Sequence, residues 1–252
     1  MLSGNINGTI FPVYTYGEIV YRHYYPVPPD GYITWEPTSA TGTVYYYSNM
    51  RLESRSLYGG SVDCNSFYPN QYFTNCTWSR IYVNLPQTEM WLNHGLFEMC
   101  SSLREAQLYK CLTIGENAFV SCYNLSRVIA PHTVYVKEAA FINCLSLSSV
   151  SLPNCAYIGP YAFALCTSLE QLNLPHLMVL CAFAFASDYS LSKLTFGGSS
   201  VVSYVMSGVF TPPLEATGIT SSTGSIFVRQ SLVSLYKTDS VWSYYSNVIY
   251  PM

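Results

Sequence analysis

A phenylalanine recurs every 22 residues along the middle of the chain, at Phe97, Phe119, Phe141, Phe163 and Phe185. No other feature limits the fold as strongly. Cys100, Cys122, Cys144 and Cys166 each follow a Phe by three residues, and Asp188 takes that place in the fifth unit. Leu103, Leu125, Leu147, Leu169 and Leu191 follow by six. Ala106, Val128, Val150, Leu172 and Leu194 form the next column, then Leu108, Ala130, Leu152, Leu174 and Phe196. Ile114, Val136, Ile158, Leu180 and Val202 complete the apolar set, and Pro131, Pro153 and Pro175 close three units. A fixed period of this length marks a repeat array. One unit alone could not fold. Ordering its backbone costs roughly 1–2 kcal/mol per residue, while each large apolar side chain returns about 1.5–3 kcal/mol on burial. Stacked copies cover one another's flanks, so the expected architecture is a solenoid.

Within a unit, Val128-Ile129-Ala130 alternates and then meets Pro131, which suits a short strand ended by loss of a donor. Ala118-Phe119-Val120-Ser121-Cys122 reads as a short turn of helix. The expected fold class is therefore an α/β repeat solenoid, with strands of successive units about 4.8 Å apart in a parallel ladder. Upstream, Phe73-Thr74-Asn75-Cys76 repeats the Phe-to-Cys spacing and Ile81–Leu85 gives a strand before Pro86. Downstream, Phe210 reads as a sixth Phe displaced by an insertion. These limits place the solenoid at residues 66–212. Residues 1–65, rich in Tyr, Gly and Pro, are expected to form a β module or N-terminal cap. Residues 213–252 are expected to close the other end. There Gly224–Val228 is a strand candidate, Ser231–Lys237 a short helix, and Trp242 through Ile249 the last packed segment.

Only 10% of the chain is charged and the net charge is −3, so it lacks the basic face that nucleic acid requires. There is no apolar run of 18 residues, the minimum for a membrane span. The first residues, Met1 through Thr9, carry neither the basic nor the apolar region of a secretory signal.

The chemistry-bearing residues favour structure over catalysis. A ladder of Cys one repeat apart makes a poor tetrahedral metal cage, and Cys packs readily as a small buried residue. Cys64, Cys111, Cys155 and Cys181 lie off that column, and a disulfide among them is an open alternative. His23, His94, His132 and His176 read as exposed turn residues. His132 and His176 would sit two repeats apart, about 10 Å, too far to share a metal. No nucleophile elbow or HExxH motif is present. The expectation is a non-enzymatic chain with no cofactor and no metal.

Alternation along the strands turns two columns outward. The first holds Glu105, Arg127, Ser149, Gln171 and Lys193, the second Gln107, Ile129, Ser151, Asn173 and Thr195, and Tyr82 and Asn84 extend them. Exposed sheet faces are where solenoids bind, so these twelve residues are the candidate partner face. The Tyr-rich ends compete with it, because Tyr is favoured at interfaces. Tyr45-Tyr46-Tyr47 cannot all face one core in a strand.

The pattern Ala-Phe-x-x-Cys-x-x-Leu-x-x-Val-x-Leu-Pro followed by Ile-Gly-x-x-Ala-Phe resembles the BspA-like leucine-rich repeats. It is carried by Ala118–Pro131, Ala140–Pro153 and Ala162–Pro175, joined through Ile114–Phe119 and Ile158–Phe163. The stretch from Ile226 to Ile249 is similar to the closing segment of such arrays. The resemblance implies a curved or flattened solenoid with a parallel sheet on one face. Its members are similar to bacterial surface proteins of adhesion and host contact, and related arrays occur in phage structural proteins. Two expectations follow. One is a virion structural or receptor-binding component of a phage, associating through the Tyr-rich N-terminal region. The other is a bacterial cell-surface recognition protein binding host or cell-wall ligands. Both place it on a virion, or outside the cell or at its surface, with other proteins as partners.

Overall fold

The computed structural model describes residues 95–252, except 96, 110, 207–212 and 215. Before residue 95 it describes the backbones of seven strands. The side chains of His23, Tyr45, Tyr46, Tyr47, Tyr82, Asn84 and His94 lie outside the described residues, as do Cys64, Phe73, Cys76 and Phe210.

The chain opens with an antiparallel pair, β1 (Ile10–Thr15) and β2 (Glu18–His23). An antiparallel meander follows, β3 (Gly31–Thr38), β4 (Thr41–Ser48) and β5 (Arg51–Tyr58). The strands then alternate between two sheets. The even-numbered ones are β6 (Arg80–Asn84), β8 (Glu105–Tyr109), β10 (Arg127–Ile129), β12 (Ser149–Ser151), β14 (Gln171–Leu174), β16 (Lys193–Phe196) and β18 (Ser225–Val228). The odd-numbered ones are β7 (Met90–Leu92), β9 (Cys111–Ile114), β11 (Tyr135–Val136), β13 (Tyr157–Ile158), β15 (Val179–Cys181) and β17 (Ser203–Val205). Helix α1 (Val233–Thr238) and β19 (Ile249–Pro251) end the chain. The odd strands form one continuous parallel sheet from β7 to β17. The even strands form a parallel ladder from β6 to β12 and a second from β14 through β16 and β18 to β19. β3 pairs in parallel with β6, which joins the meander to this side.

Two sequence expectations need correction. A unit was expected to hold one strand, yet each holds two. The second is only two or three residues long in most units, too short for alternation to reveal. The expected helical turn around the Phe is not helical either. Left-handed residues bracket it at Asn117 and Ser121, Ala139 and Asn143, Tyr161 and Leu165, and Phe183 and Ser187, with φ of 51–65°. Each such non-glycine residue costs about 1–2 kcal/mol, and none can continue a right-handed helix. Successive N–H groups there alternate in direction. Asn117, Phe119 and Ser121 donate across to Glu138, Ala140 and Ile142 of the next repeat, at 3.0, 2.8 and 3.0 Å. Ala118, Val120 and Cys122 close turns within their own repeat, onto Gly115, Asn117 and Phe119. A helix would turn all of these donors inward and leave nothing to bind the neighbour. The C-terminal expectations hold more closely, with the strand at Ser225–Val228 and the helix at Val233–Thr238 after a 3₁₀ turn. Val202 does not continue its column. Leu180 pairs with Tyr204, because the loop through Gly197-Gly198 lengthens this unit by two residues.

The Phe residues form one row. Phe97, Phe119, Phe141, Phe163 and Phe185 stack with centroids 5.2, 5.2, 5.2 and 5.6 Å apart, and all are buried. The Cys column runs beside it. Cys122, Cys144 and Cys166 donate through Sγ to the carbonyls of Phe97, Phe119 and Phe141, one repeat back, at 3.0–3.3 Å. Each thiol therefore satisfies a carbonyl inside the core. Burial raises the pKa of Cys144 and Cys166 well above the ordinary thiol value. Cys111, Cys155 and Cys181 are buried free thiols as well.

Asp188 keeps its place in this column as a fully buried residue. Its Oδ1 accepts the Cys166 N–H at 2.7 Å, while Oδ2 has no partner. Beyond it, the C-terminal segment closes the open end. Phe196 meets Trp242 edge-on at 5.5 Å and stacks on Tyr236 at 6.3 Å. The Trp242 indole donates to the Val202 carbonyl at 2.7 Å, and the Tyr236 hydroxyl accepts the Val202 N–H at 2.9 Å. Large aromatic rings thus seal the last repeat and satisfy the main chain that sealing would strand.

Two outcomes follow from this core. Phe141→Ala removes a ring that stacks on both sides, and urea unfolding is expected to show a loss of about 3–5 kcal/mol. Burial also pushes the Asp188 pKa from 3.8 up to about 8. Between those values the folded chain keeps a proton that the unfolded chain has released. Stability therefore falls as the pH rises through that window. Comparing urea midpoints at about pH 5 and about pH 8.5 should show a loss of roughly 2–4 kcal/mol, with Asp188→Asn nearly flat. A wild-type midpoint that does not move would refute the assignment.

Candidate functional site

The outer face of the even-numbered strands is built by alternation over a buried ladder. Ala106, Leu108, Val128, Leu172, Leu174, Leu194, Phe196, Ile226 and Val228 point inward and are buried. The described residues between them face out, and strand register sets their positions side by side, with β6 joined through its backbone. Arg80, Glu105, Arg127 and Ser149 form one row, and Gln171, Lys193 and Ser225 another in the second ladder. The neighbouring column runs Tyr82, Gln107, Ile129 and Ser151, then Asn173, Thr195, Phe227 and Tyr250. Tyr82 thus extends the second column, whereas Asn84 pairs with Tyr109 beyond it. Gln107 Nε2 donates to Glu105 Oε1 at 2.8 Å, and the Tyr109 hydroxyl donates to Gln107 Oε1 at 3.4 Å. Lys193 Nζ lies 5.1 Å from the centre of the Phe227 ring.

Three features of this face were not read from the sequence. Arg80 heads the first column. Phe227 and Tyr250 carry the second column to the end of the sheet. Their strands were recognisable, but Phe227 lies 32 residues after Thr195, so the period of 22 could not align them. The third feature is a split. β12 and β14 belong to separate ladders. Ser148 and Ser149 both donate to the Ser126 carbonyl, and Ser192 and Lys193 both donate to the Glu170 carbonyl. Among the described residues, the equivalent bond from Glu170 or Gln171 to the Ser148 carbonyl is not made. A cavity of about 440 Å³ opens there, lined by Ser148, Ser149, Val150, Gln171, Leu172, Asn173, Lys193 and Thr195. The odd-strand sheet and the Phe row run unbroken beneath it. The even strands therefore part locally, while the repeats stay joined.

The odd-strand sheet also carries a surface that the periodicity did not announce. Tyr135 and Tyr157 lie 6.3 Å apart, with Lys137 Nζ 5.4 Å from each ring. Tyr161 stacks on Phe183 at 5.2 Å, and Met178 is 61% exposed. His132 and His176 are exposed in turns after the even strands. Among the described residues, no group of three or more His, Cys, Asp or Glu is placed to hold a metal. Likewise, no described helix is long and apolar enough to cross a membrane.

Comparison with known proteins places this geometry. The chain is similar to a leucine-rich repeat protein of Bacteroides ovatus, whose crystal structure is known, at 23% identity and a TM-score of 0.48. The match covers 68% of this chain and 43% of that one, so this chain spans less than half of that protein. No curated protein matches the chain. The pattern described as the BspA type leucine-rich repeat region matches residues 66–144 and 134–232, in six copies. Those residues are the ones that supply the stacked Phe row, the Cys column and both sheets. The chain belongs to the BspA type leucine-rich repeat family.

Proposed function

We propose that this protein is a non-enzymatic recognition module, and that the outer face of the even-numbered strands meets another protein. One observation carries the reading. Side chains of mixed, mostly neutral chemistry are held in register on the outer face of a ladder whose inner face is buried. Such a face can vary residue by residue without disturbing the core, which is what a recognition surface needs. The contact residues are Tyr82, Asn84, Glu105, Gln107, Arg127, Ile129, Ser149, Ser151, Gln171, Asn173, Lys193 and Thr195. Family membership supports work outside the cell or at its surface. A phage virion subunit is the second reading. It draws on the Tyr-rich segment, whose meander adds to the even-strand side through β3 and β6, and it requires self-association through residues 1–65.

The test compares two paired variants. Gln107→Arg with Ser151→Arg alters the even-strand face, and Tyr135→Arg with Tyr157→Arg alters the odd-strand face. Immobilised chains are exposed to proteins released from bacterial and host cell surfaces. The species held by the unaltered chain should be lost about tenfold or more by the first variant and kept by the second. Thermal midpoints should confirm that both remain folded. The reverse pattern would sink the proposal. Sedimentation of the chain with and without residues 1–65 separates the virion reading, which expects assemblies that disappear on truncation.

A further inference from the structure

The even-strand sheet parts at one step of the described ladder, between β12 and β14, where the cavity holds one cation and the exposed Glu170 stands beside Gln171 at its margin. Lys193 is the single charged residue among those lining the cavity. Arg127 stands one strand outside it on the opposite side, paired in register with Ser149. Both cations are exposed, and no acid lies in their column between them, where Ser149 and Gln171 stand. Glu105 lies one strand beyond Arg127, and its Oε1 accepts a hydrogen bond from Gln107. The Lys193 ammonium is held over the Phe227 ring, which keeps it on the face. Everything else polar at the cavity is an amide or a hydroxyl: Gln171, Asn173, Ser148, Ser149 and Thr195.

The main chain adds to this. At the β8–β10, β10–β12 and β14–β16 steps a carbonyl of one repeat takes two N–H groups of the next, and at β16–β18 the Ser192 carbonyl takes one. At this step the Ser148 carbonyl receives neither Glu170 nor Gln171. Side-chain amides bond peptide groups in both directions.

We infer that the outer face over the β12–β14 step receives an extended acidic segment of the partner protein. Its carboxylates meet Lys193 and Arg127. Its peptide groups meet the side-chain amides of Gln171 and Asn173. This rests on the even-strand face being the contact face, and it names what that face selects. Neutral columns elsewhere on the sheet give shape, and the split gives charge preference.

The experiment uses the full chain and a fluorescein-labelled, end-blocked peptide of alternating Glu and Ser, followed by fluorescence anisotropy. A Lys-Ser peptide of equal length serves as the basic control, and trigalacturonate as an acidic ligand that lacks peptide groups. The Glu-Ser peptide should bind, weaken as salt is added, and lose about fivefold or more in Lys193→Gln and again in Arg127→Gln. Gln171→Ala with Asn173→Ala should weaken it as well, while Tyr135→Arg on the other sheet should not. Four results would overturn the inference: no binding of the Glu-Ser peptide, equal binding of the basic peptide, affinity unchanged in Lys193→Gln, or trigalacturonate displacing the peptide at lower concentration than unlabelled peptide. The two readings fail separately. If the peptide does not bind but Gln107→Arg with Ser151→Arg still abolishes partner capture, only the split is wrong. If capture ignores that variant, the face itself is wrong.

Discussion

Contact between identical rings in successive repeats is the constraint on which the rest depends. Phe rings about 5 Å apart match the spacing of hydrogen-bonded parallel strands. One distance therefore serves ring stacking, strand pairing and the crossing bonds of the turns together. Because the three agree, each repeat needs its neighbour for its core and for its backbone. Stacking and crossing bonds hold the repeats together even where β12 and β14 part. The cost of two left-handed residues per unit is met at the same joint, since those residues aim the N–H groups of the turn at the next copy.

Such a joint leaves the outward residues free of structural duty, and that is the link from fold to function. Arg127, Ser149, Gln171 and Lys193 occupy equivalent places, yet they mix cations with a hydroxyl and an amide. The exception within the core is equally telling. Asp188 stands where four units carry Cys, and its Oδ2 is buried without a hydrogen-bond partner. The aromatic cluster of Phe196, Tyr236 and Trp242 lies just beyond it.

Much of the candidate face was legible in the sequence, because alternation in Arg127-Val128-Ile129 and Gln171-Leu172-Asn173-Leu174 separates inward from outward positions by itself. The turn around each Phe was misread as helix for a physical reason. Spacing of apolar residues reports which side chains are buried, but not whether the backbone N–H groups bond within the unit or to its neighbour. The short odd strands escaped for a related reason. A pair such as Tyr135-Val136 holds a single alternation, which any conformation can supply. Val202 was misplaced because a loop two residues longer shifts the register beyond it.

The sequence alone determined that the units stack, which side chains they bury and which they expose, since these follow from a period and from the cost of leaving Phe, Leu and Val in water. Only the tertiary structure decided how the backbone joins one unit to the next. That is why two sheets, the reach of Phe227 and Tyr250 along the face, and the parting of β12 from β14 became visible there. Hydrogen bonds between residues 22 or more apart depend on relative placement of whole repeats, and no local pattern of residue types encodes a gap of one bond.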